Sequence, residues 1–286
     1  MLDGARGRTA WEQLIDLALD EDLTGGDVTT LATIPAEATA KGVLLVKQDG
    51  VISGMRVAAD IFARVDPRIG VIPTACDGDR VTAGTVIARI EGPARGVLSG
   101  ERVALNLLQR LSGVATITAA FVDAVSGTKA TIIDTRKTTP GLRALEKAAV
   151  RDGGGLNHRF GLGDGVLIKD NHLAAVGGPD RVTKAVRAAR AYAPHTLKIE
   201  VEVTTLPEVE EAIAAGADII LLDNMNPAEM AEAVKLVNGR ALLEASGGVR
   251  LETVRAIAES GVDLISVGAL THSAPSLDIS LDFDVV

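Results

Sequence analysis

The most restrictive feature of this sequence is a regular alternation of short apolar runs and helical segments beyond residue 128. The apolar runs lie at 131–134, 166–168, 199–203, 219–222, 242–244 and 264–267. Segments with helical periodicity lie at 179–192, 206–215, 227–237 and 251–260. The last strands recur about every 21–23 residues, the period of a repeated strand and helix unit. Since no Gly-x-Gly-x-x-Gly follows an early strand, we predict a small α/β barrel over an open doubly wound sheet.

The residues before the barrel have a different pattern: a helix is predicted first, and residues 40–92 form a predicted strand-rich region. A capping box from Thr9 to Glu12 begins a predicted helix that ends before Thr24. Short strands are predicted at 42–47, 71–73 and 86–90, with glycine-containing turns between them. The stretch 77–87 resembles a turn of a biotinyl or lipoyl carrier, but no lysine stands at a hairpin tip as such carriers require. We therefore interpret this stretch as structural.

A mostly helical segment is predicted at 99–125, with Val103, Leu107 and Leu111 on its apolar side. We expect Ser112 and Gly113 to interrupt this helix. A domain boundary is placed near that interruption.

Composition and charge argue against several classes of protein. Aromatic residues make up 2% of the chain, so the core is aliphatic, which suits buried parallel strands. The net charge of -9 argues against a general nucleic-acid binder. The single Cys76 excludes an internal disulfide and fits a reducing compartment. The first residues lack a secretory apolar stretch, and the charge-free run 111–122 is shorter than the roughly 20 residues of a membrane span. We expect a cytoplasmic protein without membrane or nucleic-acid partners.

Polar or glycine residues stand at the carboxyl end of every predicted strand of the barrel, whereas the strand interiors are apolar. In chain order these are Arg136 and Lys137, Lys169 and Asp170, Glu202, Asp223 and Asn224, Ser246 with Gly247 and Gly248, and Gly268. Active sites of α/β barrels lie at the carboxyl ends of the strands, because the following loops converge there. We therefore predict the active site at this end.

The charges around this end are sorted by sign. Residues 129–172 hold eight Lys and Arg against five Asp and Glu, which gives +3 within a chain of -9. Such cations suit phosphate or carboxylate, while Glu202 and Asp223 on later strands suit a metal or sugar hydroxyls. The sequence Ser246-Gly247-Gly248 precedes a helix predicted from 251 and, with Gly268, is typical of a barrel phosphate site.

Several of these residues also allow a structural interpretation. Lys147 and Arg151 have helical spacing and would be solvated or ion-paired. His172 is either a loop cap or a substrate contact, and His158 is either a satisfied loop histidine or a ligand contact. The two histidines do not have metal-ligand spacing. In contrast, Lys137 and Lys169 at buried strand ends need an anionic partner.

Several motifs resemble the quinolinate phosphoribosyltransferase family over nearly the whole chain. These are residues 21–30 (EDLTGGDVTT), 134–143 (DTRKTTPGLR), 153–159 (GGGLNHR), 167–172 (LIKDNH), 200–203 (EVEV), 221–224 (LLDN) and 244–248 (EASGG). The resemblance implies an α/β fold with an N-terminal α/β sandwich and an open α/β barrel, as in type II phosphoribosyltransferases. The domains would be 1–111, joined by the tail 273–286, and 112–272.

The resemblance also implies a reaction and a set of site residues. Quinolinate and phosphoribosyl pyrophosphate would give nicotinate mononucleotide, pyrophosphate and carbon dioxide, with Mg²⁺ required, in de novo NAD biosynthesis. Contacts to the quinolinate carboxylates would come from Arg136, His158 and Arg159, and from Arg102 of a neighbouring subunit, in a dimer or hexamer. Phosphate groups would be held by Lys137, Lys169, Ser246, Gly247, Gly248 and Gly268. The ribose hydroxyls and Mg²⁺ would be held by Glu202 and Asp223. Lys137, Lys169, Glu202 and Asp223 form the expected catalytic set.

Three other functions remain open at this point. A sister phosphoribosyltransferase, acting on nicotinate or belonging to the molybdenum-linked homologues, would use the same fold, although three cationic groups favour a dicarboxylate substrate. A Schiff-base aldolase would need a lysine of lowered pKa, whereas Lys137 and Lys169 have aspartates close in sequence that favour the charged form. A non-enzymatic carrier would account for the N-terminal pattern alone.

Overall fold

The computed structural model describes residues 10–285, with side chains described up to 282. The predicted capping residue Thr9 lies outside the described residues. Helices are α1 (Ala10–Leu23), α2 (Val28–Thr33), α3 (Met55–Val65), α4 (Ala94–Ala124), α5 (Arg143–Asp152), α6 (Asp170–Val176), α7 (Arg181–Tyr192), α8 (Leu206–Ala215), α9 (Pro227–Val237), α10 (Val254–Glu259) and α11 (Ala269–His272). Strands are β1 (Thr39–Val46), β2 (Gly50–Val51), β3 (Gly70–Pro73), β4 (Arg80–Val81), β5 (Val86–Pro93), β6 (Thr131–Ile133), β7 (Val166–Ile168), β8 (Ile199–Val203), β9 (Ile219–Asp223), β10 (Leu242–Ser246), β11 (Leu264–Ser266) and β12 (Ile279–Val285).

The described residues form two compact units. The first contains the residues up to 119 together with 138–154 and those from 270 onward, and the second contains 120–137 and 155–269. Residues 138–154 thus group with the first unit, partly because Arg110 of α4 pairs with the buried Glu146 of α5 at 2.8 Å. The division at 111/112 inferred from the sequence stays a prediction.

The first unit is built on a four-stranded antiparallel sheet in the order β12-β1-β5-β3. Strand β1 is central, so that Leu44 pairs with Leu281 on one side and with Ala88 on the other. Helix α3 packs against β3 and buries Ile61 and Phe62 completely. The predicted strands at 42–47, 71–73 and 86–90 are confirmed, and the unit is an α/β sandwich.

Helix α4 runs without a break, so the predicted interruption at Ser112 and Gly113 is wrong. A Cβ atom added at Gly113 would lie 1.9 Å from the carbonyl oxygen of Pro275. The glycine therefore permits a close backbone approach and does not end the helix. The Ser112 Oγ is buried and accepts the backbone N–H of Ser53 at 3.1 Å.

The helix α4 is long and apolar enough to cross a membrane by length and composition. However, 56% of its most apolar 18-residue window is buried inside the protein. A largely buried core helix passes the same test of length and hydropathy.

The second unit contains a six-stranded parallel sheet in the order β6-β11-β10-β9-β8-β7. Helices α6 to α10 contact one another in chain order, as expected for repeated strand and helix units. Strands β6 and β7 form the two edges, so the sheet is an open α/β barrel. The predicted fold class is confirmed, because all six predicted strands are present.

Local capping signals fix the helices between these strands. Helix α8 begins after Thr205, whose Oγ1 accepts the N–H of Glu208, and ends at Gly216 with a φ of 83°. Helix α9 begins with a capping box in which Asn226 and Glu229 satisfy each other's backbone N–H groups. These signals account for the agreement between the predicted and observed bounds of both helices.

Candidate active site

A cavity of about 270 Å³ opens at the carboxyl ends of the strands in the second unit. It is lined by Thr135, Arg136, Lys137, His158, Arg159, Leu167, Lys169, Leu221, Glu244, Ser246 and Ser266. Six of the predicted site residues are brought together there: Arg136, Lys137, His158, Arg159, Lys169 and Ser246. Strands β6, β7 and β10 supply four of the six directly, from their ends or the residues that follow.

Two guanidinium groups give the cavity its anion-binding character. The pKa of Arg159 is lowered by burial and by the charge of Arg136, while Glu200 and Asp164 act in the opposite direction. One nitrogen of Arg159, Nη1, donates to the carbonyl oxygen of Gly165 at 3.1 Å. The Nε of Arg136 is buried and has no hydrogen-bond partner among the described residues. An anion with two or more oxygen acceptors would satisfy this site.

Lys169 contacts one of the predicted carboxylates. Its Nζ lies 3.2 Å from Oε2 of Glu202, whose side chain is largely buried, whereas about half of the Lys169 side chain is exposed. The backbone N–H of Lys169 donates to Nδ1 of His172 at 2.9 Å, at the start of α6. His172 is therefore a loop cap, which was one of its two interpretations.

The remaining predicted carboxylate, Asp223, ends strand β9 beside Ser246 at the end of β10. Its Oδ2 accepts the side-chain N–H of Asn224 at 2.7 Å. Gly247 follows with a φ of 93°, and an added Cβ would lie 2.2 Å from Oδ1 of Asn224. The Ser-Gly-Gly loop thus packs directly against the Asp-Asn turn. Only glycine fits at the point of closest approach.

The two glycine segments predicted to bind phosphate lie at the ends of neighbouring strands. Gly248 has a φ of 60° with no heavy atom near an added Cβ, and Gly268 follows β11, which pairs with β10. Helix α10 begins at Val254 and not near 251 as predicted. Loop amides, rather than the start of this short helix, are the donors that this segment offers to an anion.

A buried polar cluster, which the sequence analysis did not identify, includes two residues of the cavity lining, His158 and Glu244. The Nε2 of His158 lies 3.1 Å from Oε2 of Glu200 and 3.6 Å from Oε2 of Glu244. The Nδ1 of His158 accepts the backbone N–H of Arg159 at 2.7 Å. The pKa of Glu244 is raised well above its usual value by burial and by the nearby charge of Glu200. Glu244 is therefore protonated more readily than an exposed glutamate.

Asp134 is a second residue that the sequence analysis did not single out. Its side chain is fully buried after β6 and accepts the backbone N–H of His158 and Nδ2 of Asn157, both at 2.8 Å. These bonds fix the segment that carries Arg159. A usable signal was present, because Asp134, Glu200 and Glu244 are acidic residues inside otherwise apolar runs, where an unpaired charge is costly.

Two family models match the chain and together cover most of it. The model described as quinolinate phosphoribosyl transferase, N-terminal domain, matches residues 27–112, and the C-terminal domain model matches residues 114–282. The chain belongs to the quinolinate phosphoribosyltransferase family. The resemblance inferred from its motifs is therefore confirmed.

Individual members of the quinolinate phosphoribosyltransferase family are similar along most of their length. A probable nicotinate-nucleotide pyrophosphorylase (carboxylating) of Bacillus subtilis is 47% identical over 92% of this chain and 89% of its own. The nicotinate-nucleotide pyrophosphorylase (carboxylating) of Mycobacterium leprae is 49% identical over 93% of this chain and 94% of its own. The crystal structure of NadC from Streptococcus pyogenes has a TM-score of 0.92 and 43% identity, covering 99% of this chain and 100% of that one.

Three residues weighed in the sequence analysis lie away from the cavity lining of this family member. Arg102 lies on the exposed side of α4, and its nearest carboxylate is Glu101 at 3.9 Å. Lys147 is only 2% exposed, so of its two interpretations, solvated or ion-paired, the first is wrong. Arg151, one turn later on α5, is exposed.

Proposed function

We propose that this protein transfers the phosphoribosyl group of phosphoribosyl pyrophosphate to quinolinate and releases carbon dioxide. The products would be nicotinate mononucleotide, pyrophosphate and carbon dioxide, in de novo NAD biosynthesis. Membership of the quinolinate phosphoribosyltransferase family and the names of the full-length relatives support this activity. The observation that carries it is the convergence of Arg136, Lys137, Arg159 and Lys169 on one cavity.

The two arginines would bind the carboxylates of quinolinate. The buried Nε of Arg136 has no acceptor among the described residues. The pKa of Arg159 is lowered by burial and by the charge of Arg136, so an anion would stabilise both side chains. Each charge-assisted hydrogen bond contributes roughly 1.5–3 kcal/mol. A monocarboxylate such as nicotinate would leave part of this capacity unused, which favours quinolinate over nicotinate as the substrate.

Lys137 and Lys169 would hold phosphate groups of phosphoribosyl pyrophosphate. Both line the cavity, and Lys169 is half exposed, so it can turn from Glu202 to a ligand. The 5-phosphate would be held by backbone amides of Ser246 to Gly248 and by Gly268, on two neighbouring strands. Cationic side chains near the pyrophosphate stabilise the charge that it acquires as it leaves.

Glu202 and Asp223 would hold the ribose hydroxyls and Mg²⁺. They end two neighbouring strands, β8 and β9, and offer only oxygen donors, which Mg²⁺ prefers. Mg²⁺ is usually bound by one or two carboxylates together with substrate phosphates, so this donor set fits it. When bound, the ion would neutralise part of the pyrophosphate charge.

No nucleophilic side chain is needed for this chemistry. Departure of pyrophosphate leaves cationic character on the sugar, which the carboxylates of Glu202 and Asp223 tolerate. The quinolinate nitrogen attacks the anomeric carbon and becomes a pyridinium. Loss of the adjacent carboxylate as carbon dioxide then leaves an electron pair that the positive ring nitrogen stabilises, before the ring carbon takes up a proton.

The proposal includes an oligomer and a location. Arg102 is exposed and belongs to the first unit, so it could complete the site of a neighbouring copy in a homo-oligomer, either a dimer or a hexamer. The single Cys76 and the bacterial relatives are compatible with the cytoplasm. Neither a nucleic acid nor a membrane is among the proposed partners.

The deciding experiment measures both products from quinolinate labelled in its 2-carboxylate. With phosphoribosyl pyrophosphate and Mg²⁺, labelled carbon dioxide and pyrophosphate are expected in equal amounts. Turnover of nicotinate but not quinolinate would overturn the proposal in favour of the sister enzyme. Borohydride trapping of a carbonyl substrate on Lys137 or Lys169 would instead support an aldolase.

A further inference from the structure

The cavity is lined in part by a histidine, His158, whose two ring nitrogens are both engaged by the protein. The backbone N–H of Arg159 reaches Nδ1 of His158 at 2.7 Å. An N–H group can only donate, so Nδ1 must carry a lone pair. The ring proton therefore resides on Nε2, which faces Oε2 of Glu200 at 3.1 Å.

This arrangement changes the role expected for His158. With Nδ1 and Nε2 both occupied, neither nitrogen is directed at a carboxylate of the substrate. The ring nevertheless constrains the backbone of Arg159, because Nδ1 accepts the backbone N–H of that residue. The carboxylate of Glu200 also opposes the lowering of the Arg159 pKa by burial. Glu200 thus acts on the substrate-binding arginine in two ways, through the histidine and through its charge.

A second cavity, of about 340 Å³, shares part of its lining with the first. His158, Arg159 and Glu244 line both cavities, whereas Glu200 lines only the second. Glu200 is 3% exposed and Glu244 is 1% exposed. Neither Oε1 of Glu200 nor Oε2 of Glu244 has a hydrogen-bond partner among the described residues. Because such burial is costly, retaining two carboxylates here requires a role for them.

We infer that Glu200 is a positioning residue for quinolinate binding, which accepts the Nε2–H of His158 and thereby fixes the ring against Arg159. Glu244 is the third member of the cluster, and its Oε2 lies 3.6 Å from Nε2 of His158. This inference rests on the proposed function, since quinolinate is the ligand that Arg159 would bind. It assigns no substrate contact to Glu200.

The test compares Glu200→Met, which removes the acceptor at nearly constant size, with Glu200→Gln, which keeps an oxygen acceptor. Calorimetry would measure quinolinate and phosphoribosyl pyrophosphate separately. We expect Glu200→Met to weaken quinolinate binding by roughly tenfold or more. Binding of phosphoribosyl pyrophosphate should stay within about twofold, and Glu200→Gln should restore most of the quinolinate affinity. Equal weakening of both substrates, or wild-type quinolinate binding in Glu200→Met, would overturn the inference.

A second measurement does not depend on activity. Nitrogen-15 NMR of labelled histidine, assigned with His158→Asn, reports which ring nitrogen carries the proton. Wild-type His158 should show an unprotonated Nδ1 and a protonated Nε2. In Glu200→Met, Nδ1 still accepts the N–H of Arg159, so the tautomer should persist while the Nε2 resonance shifts because its acceptor is gone. A protonated Nδ1 in the wild type would exclude the proposed geometry even if the variants failed to fold.

Two controls separate this inference from its alternatives. His158, Glu200 and Glu244 also offer ligand atoms within 4.8 Å of one another. One equivalent of tightly bound transition metal in the purified wild type, lost in Glu200→Met, would therefore replace the positioning role with a metal site. If wild-type protein neither bound nor turned over quinolinate, the proposed function would fail, whereas the NMR result would still report on the cluster.

Discussion

The Nζ of Lys169 lies 3.2 Å from Oε2 of Glu202. Each of these two side chains therefore has an oppositely charged partner before any phosphate or metal ion enters. A phosphate group arriving at Lys169 would compete with Glu202, and the released carboxylate could then accept a ribose hydroxyl or Mg²⁺. The pair couples binding at the two positions.

Replacing Lys169 with alanine should lower kcat/KM by roughly 10- to 100-fold, because one charge-assisted contact to phosphate is lost. Stability should change little, since the pair is partly exposed and such pairs contribute weakly. Steady-state kinetics and thermal melting would measure both effects. Lys184→Ala on the exposed side of α7 is the matched control. Near-native kcat/KM in Lys169→Ala would contradict the role in phosphate binding.

Arg159→Ala should lose most activity, chiefly through weaker quinolinate binding, while remaining folded. Each lost charge-assisted bond weakens binding by roughly 10-fold or more. Initial rates at varied quinolinate and circular dichroism would be compared with Arg187→Ala, an exposed arginine on α7. The assignment fails if the variant keeps a wild-type KM for quinolinate.

Gly247→Ala should impair binding of phosphoribosyl pyrophosphate more than that of quinolinate. An added Cβ would lie 2.2 Å from Oδ1 of Asn224 and would displace the turn that carries Asp223. Gly216→Ala is the control, because its φ of 83° is similar and nothing lies near its added Cβ. A positive φ alone costs roughly 1–2 kcal/mol. Equal melting temperatures and equal KM values in the two variants would argue against a close approach at Gly247.

The buried Glu244 should make stability depend on pH. Its pKa in the folded protein is raised, first by burial and then by Glu200. The unfolded chain therefore loses the Glu244 proton at lower pH than the folded protein does. The contribution of Glu244 to the free energy of unfolding declines as the pH rises above its unfolded pKa of about 4.5. Glutamine at this position does not titrate.

As the pH rises from 5 to 9, the melting temperature of the wild type should therefore fall relative to that of Glu244→Gln. One unit of pKa shift corresponds to about 1.4 kcal/mol, or roughly 2–4 °C in a protein of this size class. Glu232→Gln on the exposed side of α9 should show no such divergence. A constant difference over this range would mean that Glu244 ionises as easily in the folded state as in the unfolded one.

Much of the fold could be predicted from local patterns. The six strands of the open barrel were found because their apolar runs recur with a fixed period, and α8 and α9 because caps and a terminal glycine mark their ends. Gly113 was misinterpreted, since the reason for a glycine there is a contact with Pro275, far away in sequence. Local propensity carries no information about such a contact.

The candidate site was predictable where residues stand at strand ends. Arg136, Lys169 and Ser246 lie at or just after the carboxyl ends of parallel strands, so the sheet topology alone brings them together. The cluster of Glu200 and Glu244 was missed because an acidic residue inside a strand can face solvent, a partner or the core. Their place inside apolar runs is a usable sign of a buried polar group, whereas the partner that each carboxylate meets is known only from the fold.

The pairing of β12 with β1 has a consequence for biosynthesis. The antiparallel sheet of the first unit takes its outer strand from residues 279–285, which the ribosome makes after every strand of the parallel sheet. One edge of nascent β1 therefore lacks its hydrogen-bonding partner, β12, while the second unit is translated. Folding order along this polypeptide cannot follow synthesis order, and emergence of residues 279–285 would complete the part that was begun first.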